Sequence, residues 1–204
     1  MSREVLQLQN RHTEERLSLR AIHHEGQLCL ELKGSLPARS EGPPLHVHFV
    51  ENEEGVVRSG TLSAILDGQR LTVGSGQSAS FAAGSVHRWW NEGDELLVFD
   101  GIARPLVDLD RLLEAVFEVL NAGPSGRPDP FYMAHLALRH WNTQYLAVMP
   151  RPVQAVLFRV MVAVGTVMGK YRGTDWPGCP ARCIGVDRTA ARNTAAGSPS
   201  GAGI

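Results

Sequence analysis

Between Thr61 and Val73 the chain reads TLSAIL, then Asp67-Gly68, then QRLTV. A two-residue loop between apolar runs needs positive φ at its central positions. Asp-Gly supplies this at little cost and folds the flanking runs back as an antiparallel pair. That hairpin is one of a series. From Leu17 to Ile102 short runs such as LSLRAI and LCLEL carry apolar residues at every second position. Turn signals at Gly74, Gly76, Gly84 and Glu92-Gly93-Asp94 separate later runs, and ELLVFDGI reads as one more strand. Many short strands at this spacing predict a β-sandwich or a small barrel.

The pattern changes after Pro105. In LVDLDRLLEAVFEVLNAG the apolar residues fall at helical spacing, with Asp108 as the expected N-cap and Gly123-Pro124 as the stop. After the linker GPSGRPDP, FYMAHLALRHWNTQYLAV reads as a second helix ended by Pro150 and Pro152. VQAVLFRVMVAVGTVMGKY reads as a third, apolar nearly all round. A membrane span needs roughly 20 apolar residues, and Arg159 interrupts this run. Burial against the barrel or against a second subunit is the preferred reading, with membrane-surface attachment as the alternative. The expected organisation is residues 1–104 as a mainly β domain, 105–172 as a helical extension and 173–204 as a flexible tail. That tail is rich in Gly, Ala, Ser, Thr, Pro and Arg and too poor in apolar residues to order itself.

A formal net charge of -1 gives no basic field for nucleic acid. The three cysteines, Cys29, Cys179 and Cys183, do not make a disulfide framework, and Cys179 and Cys183 lack two further nearby ligands for zinc. With a polar N-terminus that does not read as a secretory signal, the cytoplasm is the expected location.

One stretch raises a chemical question. PPLHVHFVENEEG places His46 and His48 one residue apart and then supplies Glu51, Glu53 and Glu54. In a strand His46 and His48 share a face. They are either exposed polar residues or half of a metal site. Strict alternation points Glu53 away from the histidines, so it joins them only if a turn or bulge intervenes. Glu51 also keeps poor parity, and Glu54 is the reserve carboxylate. The second half is His87 in GQSASFAAGSVHRWWN, at the start of another strand-like run. Three imidazoles and one carboxylate suit a divalent transition metal: Fe, Mn, Ni, Zn or Cu. Four protein ligands would leave one or two exchangeable positions on an octahedral ion.

These residues resemble the cupin superfamily, small β-barrels carrying two spaced motifs. His46, His48, Glu53 and Gly60 fit the first motif from its first His onward, although Gly42 lies closer to His46 than the motif's leading Gly. Gly76, Gly84, His87 and Asn91 fit the second in register, with Ala82 where the motif has Pro. The resemblance covers about Leu36 to Arg104. It implies a double-stranded β-helix (jelly-roll) barrel with His46, His48, Glu53 and His87 as metal ligands inside its mouth. It implies an enzyme or a binder of a small organic molecule. The leading expectation is an oxygenase-like enzyme in which Glu53 also serves as a base. The alternatives are an O2-independent isomerase or cyclase, and a binder without turnover. The N-terminal strands and third helix would cover the barrel's exposed strand edges and open flank, either within the chain or across a dimer, and a homodimer is expected.

Other residues are set aside. One of Trp89 and Trp90 should face inward and the other outward, and Arg88 outward if His87 points in. His23 and His24 are read as exposed. His135 and His140 are five apart on a helix, which does not align them for chelation.

Overall fold

A computed structural model describes residues 5–123 and 126–171. The expected tail, with Cys179 and Cys183, lies outside the described residues. The chain is mainly β and builds two antiparallel sheets that face one another. The strands are β1 (Leu6–Gln9), β2 (Arg16–His24), β3 (Gln27–Leu36), β4 (His46–His48), β5 (Asn52–Ser59), β6 (Thr61–Leu66), β7 (Gln69–Gly74), β8 (Ser78–Phe81), β9 (His87–Trp90), β10 (Leu97–Arg104) and β11 (Gln144–Leu146). One sheet runs β1-β2-β3-β10-β5-β8 and the other β11-β4-β9-β6-β7.

The Asp67-Gly68 hairpin forms as its residues dictate. Leu66 pairs with Gln69, and both turn residues have positive φ. Alternation then places Leu36, Val57, Leu62, Val73, Phe81 and Leu97 in a core between the sheets. Two glycines are fixed by close approach. Gly60 has φ 76°, and a Cβ there would lie 2.6 Å from the Leu96 carbonyl. A Cβ at Gly34 would lie 2.3 Å from the Phe99 ring, so the bare backbone is what lets that ring settle between the sheets.

Asn91 ties the end of β9 to both flanking loops. Its buried amide donates to the carbonyls of Leu36 (3.0 Å), Pro37 (2.9 Å) and Glu95 (2.8 Å) and accepts from the Gly93 N–H (3.1 Å). Asn91→Ala would strip buried carbonyls of their donor. The expected cost is about 2–3 kcal/mol, read as a fall in Tm of roughly 5–10 °C for a chain of this size. An unchanged melting curve would contradict this role.

Among the described residues three helices follow the barrel: α1 (Leu109–Ala122), α2 (Pro130–Arg139) and α3 (Arg151–Val167). Leu109, Leu112 and Phe117 of α1 pack on Leu17, Leu19 and Leu30 of the larger sheet. Asp129 caps α2 by accepting the Phe131 N–H at 2.8 Å, with Pro130 in the first turn. Two expectations need correction. The second helix does not run through to Val148: it stops at Arg139, and Gln144–Leu146 form β11, which lies against β4. The backbone groups of Gln144–Leu146 find better partners in the open edge of β4 than in another helical turn. Asp108 sits at the N-cap of α1 without capping it, because its side chain is spent on His140 Nδ1 at 2.6 Å. No helix among the described residues is long and apolar enough to cross a membrane.

Candidate metal centre

Three short elements bring the site together. β4 and β9 are neighbours in the smaller sheet, in register at His46 and His87. His46 and His48 share one face of β4, as alternation requires, and both are buried, as is His87. After His48 the chain leaves the sheet at Phe49–Glu51 and re-enters the opposite sheet at Asn52. That crossing resolves the parity problem. Glu53 has the wrong phase for a continuous strand, but it lies on β5 across from the histidines and faces back at them.

The four residues bring one ligand atom each to within 4.8 Å of one another. His46 Nε2 lies 3.1 Å from His48 Nε2. Glu53 bridges the other two rings, with Oε1 3.4 Å from His48 Nε2 and Oε2 3.4 Å from His87 Nε2. Adjacent ligands on one ion with bonds of about 2.1 Å stand roughly 3 Å apart at right angles, so these separations match the cis positions of a shared ion.

The rings are oriented from behind. His46 Nδ1 faces the Pro44 carbonyl at 2.8 Å and His87 Nδ1 faces the Ser85 carbonyl at 3.1 Å. A carbonyl only accepts, so the proton sits on Nδ1 and each Nε2 aims its lone pair into the cluster. His87 Nε2 is buried and has no hydrogen-bond partner. Phe81 stacks on the His87 ring at 4.7 Å and limits its rotation. A buried nitrogen lone pair without a donor is costly, and a cation at the centre of the cluster answers all four groups together.

Electrostatics agree with that arrangement. Burial lowers the His46 pKa to about 4, helped by the neighbouring His48, and burial also lowers that of His48. Both are therefore neutral and ligand-ready at neutral pH. Burial raises the pKa of Glu53, but its attraction to His48, and then to His87 and His46, once those rings take up protons in acid outweighs it and brings the value down to about 2. Glu53 is the anionic member of the set. The described residues thus include a His/His/Glu/His cluster with the donors and spacing to hold a metal ion.

The remaining candidates sort clearly. Glu54 points elsewhere and pairs with Arg104. Arg88 faces out and pairs with Glu41. Trp89 turns inward against Phe99 at 5.1 Å, whereas Trp90 sits under the guanidinium groups of Arg70 and Arg88. His23 and His24 are exposed. His135 and His140 are both buried, and His140 serves Asp108 rather than a metal.

Sequence reasoning undervalued Glu51. It is 0% exposed, with Oε2 3.9 Å from His48 Nδ1, behind the cluster rather than in it. Burial raises its pKa to about 7, against the opposing pull of backbone N–H groups at Glu51, Asp108 and Val107. A carboxylate three residues after a cluster histidine, at the point where the chain crosses between sheets, was the available signal.

The family model for the Cupin domain matches residues 34–102, a span holding both histidine motifs and all four cluster residues. The barrel is a cupin domain. A curated relative, Oxidoreductase iacF of Pestalotiopsis fici, is 34% identical over 79 residues, covering 37% of this chain and 39% of that protein. The chain therefore spans about two fifths of the length of that relative. Among solved cupins, a sugar phosphate isomerase from Silicibacter pomeroyi is 21% identical with TM-score 0.38, covering 45% of this chain and 60% of that one. The Cnp3 cupin domain of Schizosaccharomyces pombe is 12% identical with TM-score 0.39, covering 47% and 70%.

Beside the cluster the cupin barrel has a partly open cavity of about 70 Å³. Glu53 lies on its wall, together with Leu32, Val57, Leu62, Phe81, Trp89 and Phe99. Its lining contains no Lys, Arg or His.

Proposed function

We propose that this cupin is a metal-dependent, oxygenase-like enzyme acting on a small, uncharged organic molecule. His46, His48, Glu53 and His87 would hold one divalent transition metal. When bound, the metal would supply Lewis acidity and exchangeable positions for substrate oxygen or O2. The observation that carries the reading is the wholly apolar character of the adjoining cavity apart from Glu53 and Glu54. A sugar phosphate or a dicarboxylate would bury negative charge there with no cationic side chain to answer it, at a cost of several kcal/mol. An aromatic or dicarbonyl molecule of a few heavy atoms meets no such penalty.

The chain's own residues have definite roles in this proposal. Phe81, Trp89 and Phe99 bind the apolar body and exclude water. Glu53 is the only carboxylate shared by cavity and cluster, and its depressed pKa keeps it ionised at neutral pH. It is the group placed to accept a proton from a substrate in the cavity. The likeness to a protein named as an oxidoreductase is in keeping with redox chemistry.

The test is oxygen uptake by metal-loaded protein with a panel of small enols, dicarbonyls and phenols, run in parallel under nitrogen. Substrate-dependent O2 consumption that disappears in Glu53→Ala is the expected result. Turnover that persists unchanged under nitrogen would identify an isomerase or cyclase instead. Saturable binding without turnover would identify a binder. Acceptance of phosphorylated or dicarboxylate substrates ahead of neutral ones would overturn the argument from the cavity.

A further inference from the structure

The helix α3 packs on α2 through one side, where Val162 is buried against Ala134 and Tyr171. Its opposite side is apolar and open. Val153, Leu157, Val160, Val164 and Val167 are all exposed, Val160 to 54% and Val167 to 90%. Val156, exposed to 63%, widens the same stripe. The spacing of the first five alternates four and three residues, which is the period a helix uses to keep one seam facing another helix. The helix contains no acidic residue, and Arg151 and Arg159 are its only charged ones.

We propose that α3 is the seam of a homodimer in which the stripe of one copy packs against that of a second. Area supports this occupant. The large exposed side chains of the stripe and Met168 leave on the order of 700 Å² of apolar surface per copy, more than the largest patch of a typical monomer. A symmetric pair removes about twice that from water, which falls within the range of stable interfaces. Composition supports it as well. Five of the six stripe residues are valines, with no Trp, Tyr or Phe among them. β-branched side chains with restricted rotamers pack well in helix seams, whereas helices lying on a membrane combine aromatic residues with a strongly basic polar face. Residues 172–204 supply few large apolar side chains: Trp176, Ile184, Val186 and Ile204. The seam lies on the far side of α3 from α2 and does not involve the histidine cluster, so this inference is independent of the proposed chemistry.

Light scattering coupled to size-exclusion chromatography on the full chain tests it. At about 10 µM, a concentration at which an interface of this size is populated, the expected mass is twice that of the chain. Val160→Glu combined with Val164→Glu should return a monomer, with far-UV circular dichroism and metal content unchanged because both side chains are exposed. In a chain with Cys179→Ser and Cys183→Ser, Val160→Cys should cross-link to its counterpart under mild oxidation. A monomeric parent protein overturns the proposal, whether it stays free or floats with vesicles containing phosphatidylserine. A dimer that survives the double glutamate substitution, or that leaves Val160→Cys reduced, overturns it too.

Discussion

His48→Ala is expected to strip the cupin centre of its metal. His48 Nε2 is the ring atom in contact with two other members of the cluster, His46 at 3.1 Å and Glu53 at 3.4 Å. Its loss takes one imidazole from a set of four and leaves Glu53 with a single ring to hold it. Changes behind a ligand commonly weaken metal binding 10–100-fold, and removal of the ligand itself should exceed about 100-fold. Elemental analysis of protein purified without added metal is the measurement. About one ion per parent chain, and essentially none in the variant, is expected. His23→Ala, at an exposed position, serves as the control and should retain the ion. Full occupancy in His48→Ala would refute the ligand assignment and remove the ground for Glu53 as a base.

The second large effect concerns stability. Glu51 is fully buried and its pKa stands near 7 against an ordinary 4.5. The folded state therefore holds this proton more tightly than the unfolded chain. The stability that follows is fully present below about pH 4.5 and is lost as pH rises through 7. A shift of this size corresponds to about 3 kcal/mol. Glu51→Gln keeps the shape and abolishes the titration. In metal-free protein the variant should be more stable than the parent by up to about 3 kcal/mol at pH 8, and nearly equal to it at pH 4.5. His46 works in the opposite direction. Its pKa falls from 6.5 to about 4, so its contribution is present above 6.5 and is lost as pH drops toward 4. In the parent these slopes oppose one another across the shared window. In Glu51→Gln the acid limb should stand alone and be steeper. Urea titrations at pH 4.5, 6 and 8 measure both effects. A variant less stable than the parent at pH 8 would mean that the ionised Glu51 carboxylate is held favourably after all.

Much of the barrel was readable because its signals are local. A two-residue Asp67-Gly68 loop sets its own register, and alternation along TLSAIL or LCLEL states which residues go inside. The four-residue cluster was readable for a different reason. The phase conflict between His48 and Glu53 could be resolved only by a break in the strand, and the crossing at Phe49–Glu51 is that break. The misses are all non-local. Gln144–Leu146 carry no strong strand signal and become a strand because β4 offers them an open edge. Asp108 looks like a cap, and only the arrival of His140, 32 residues later, diverts its side chain. Glu51 was ranked low on phase alone, since nothing in the sequence shows that the start of α1 will close over it.

The pairing of β11 with β4 has a practical consequence. The span that matches the cupin family ends at residue 102, yet the strand bearing His46 and His48 has its outer neighbour at Gln144–Leu146. On its other side β4 is in register with β9 at a single position. A fragment trimmed to residues 34–102 would expose the backbone of the histidine strand as a bare margin, free to recruit strands from other molecules. Such a fragment should precipitate or bind metal erratically even with every ligand intact. A productive minimal fragment would have to retain residues well past the barrel.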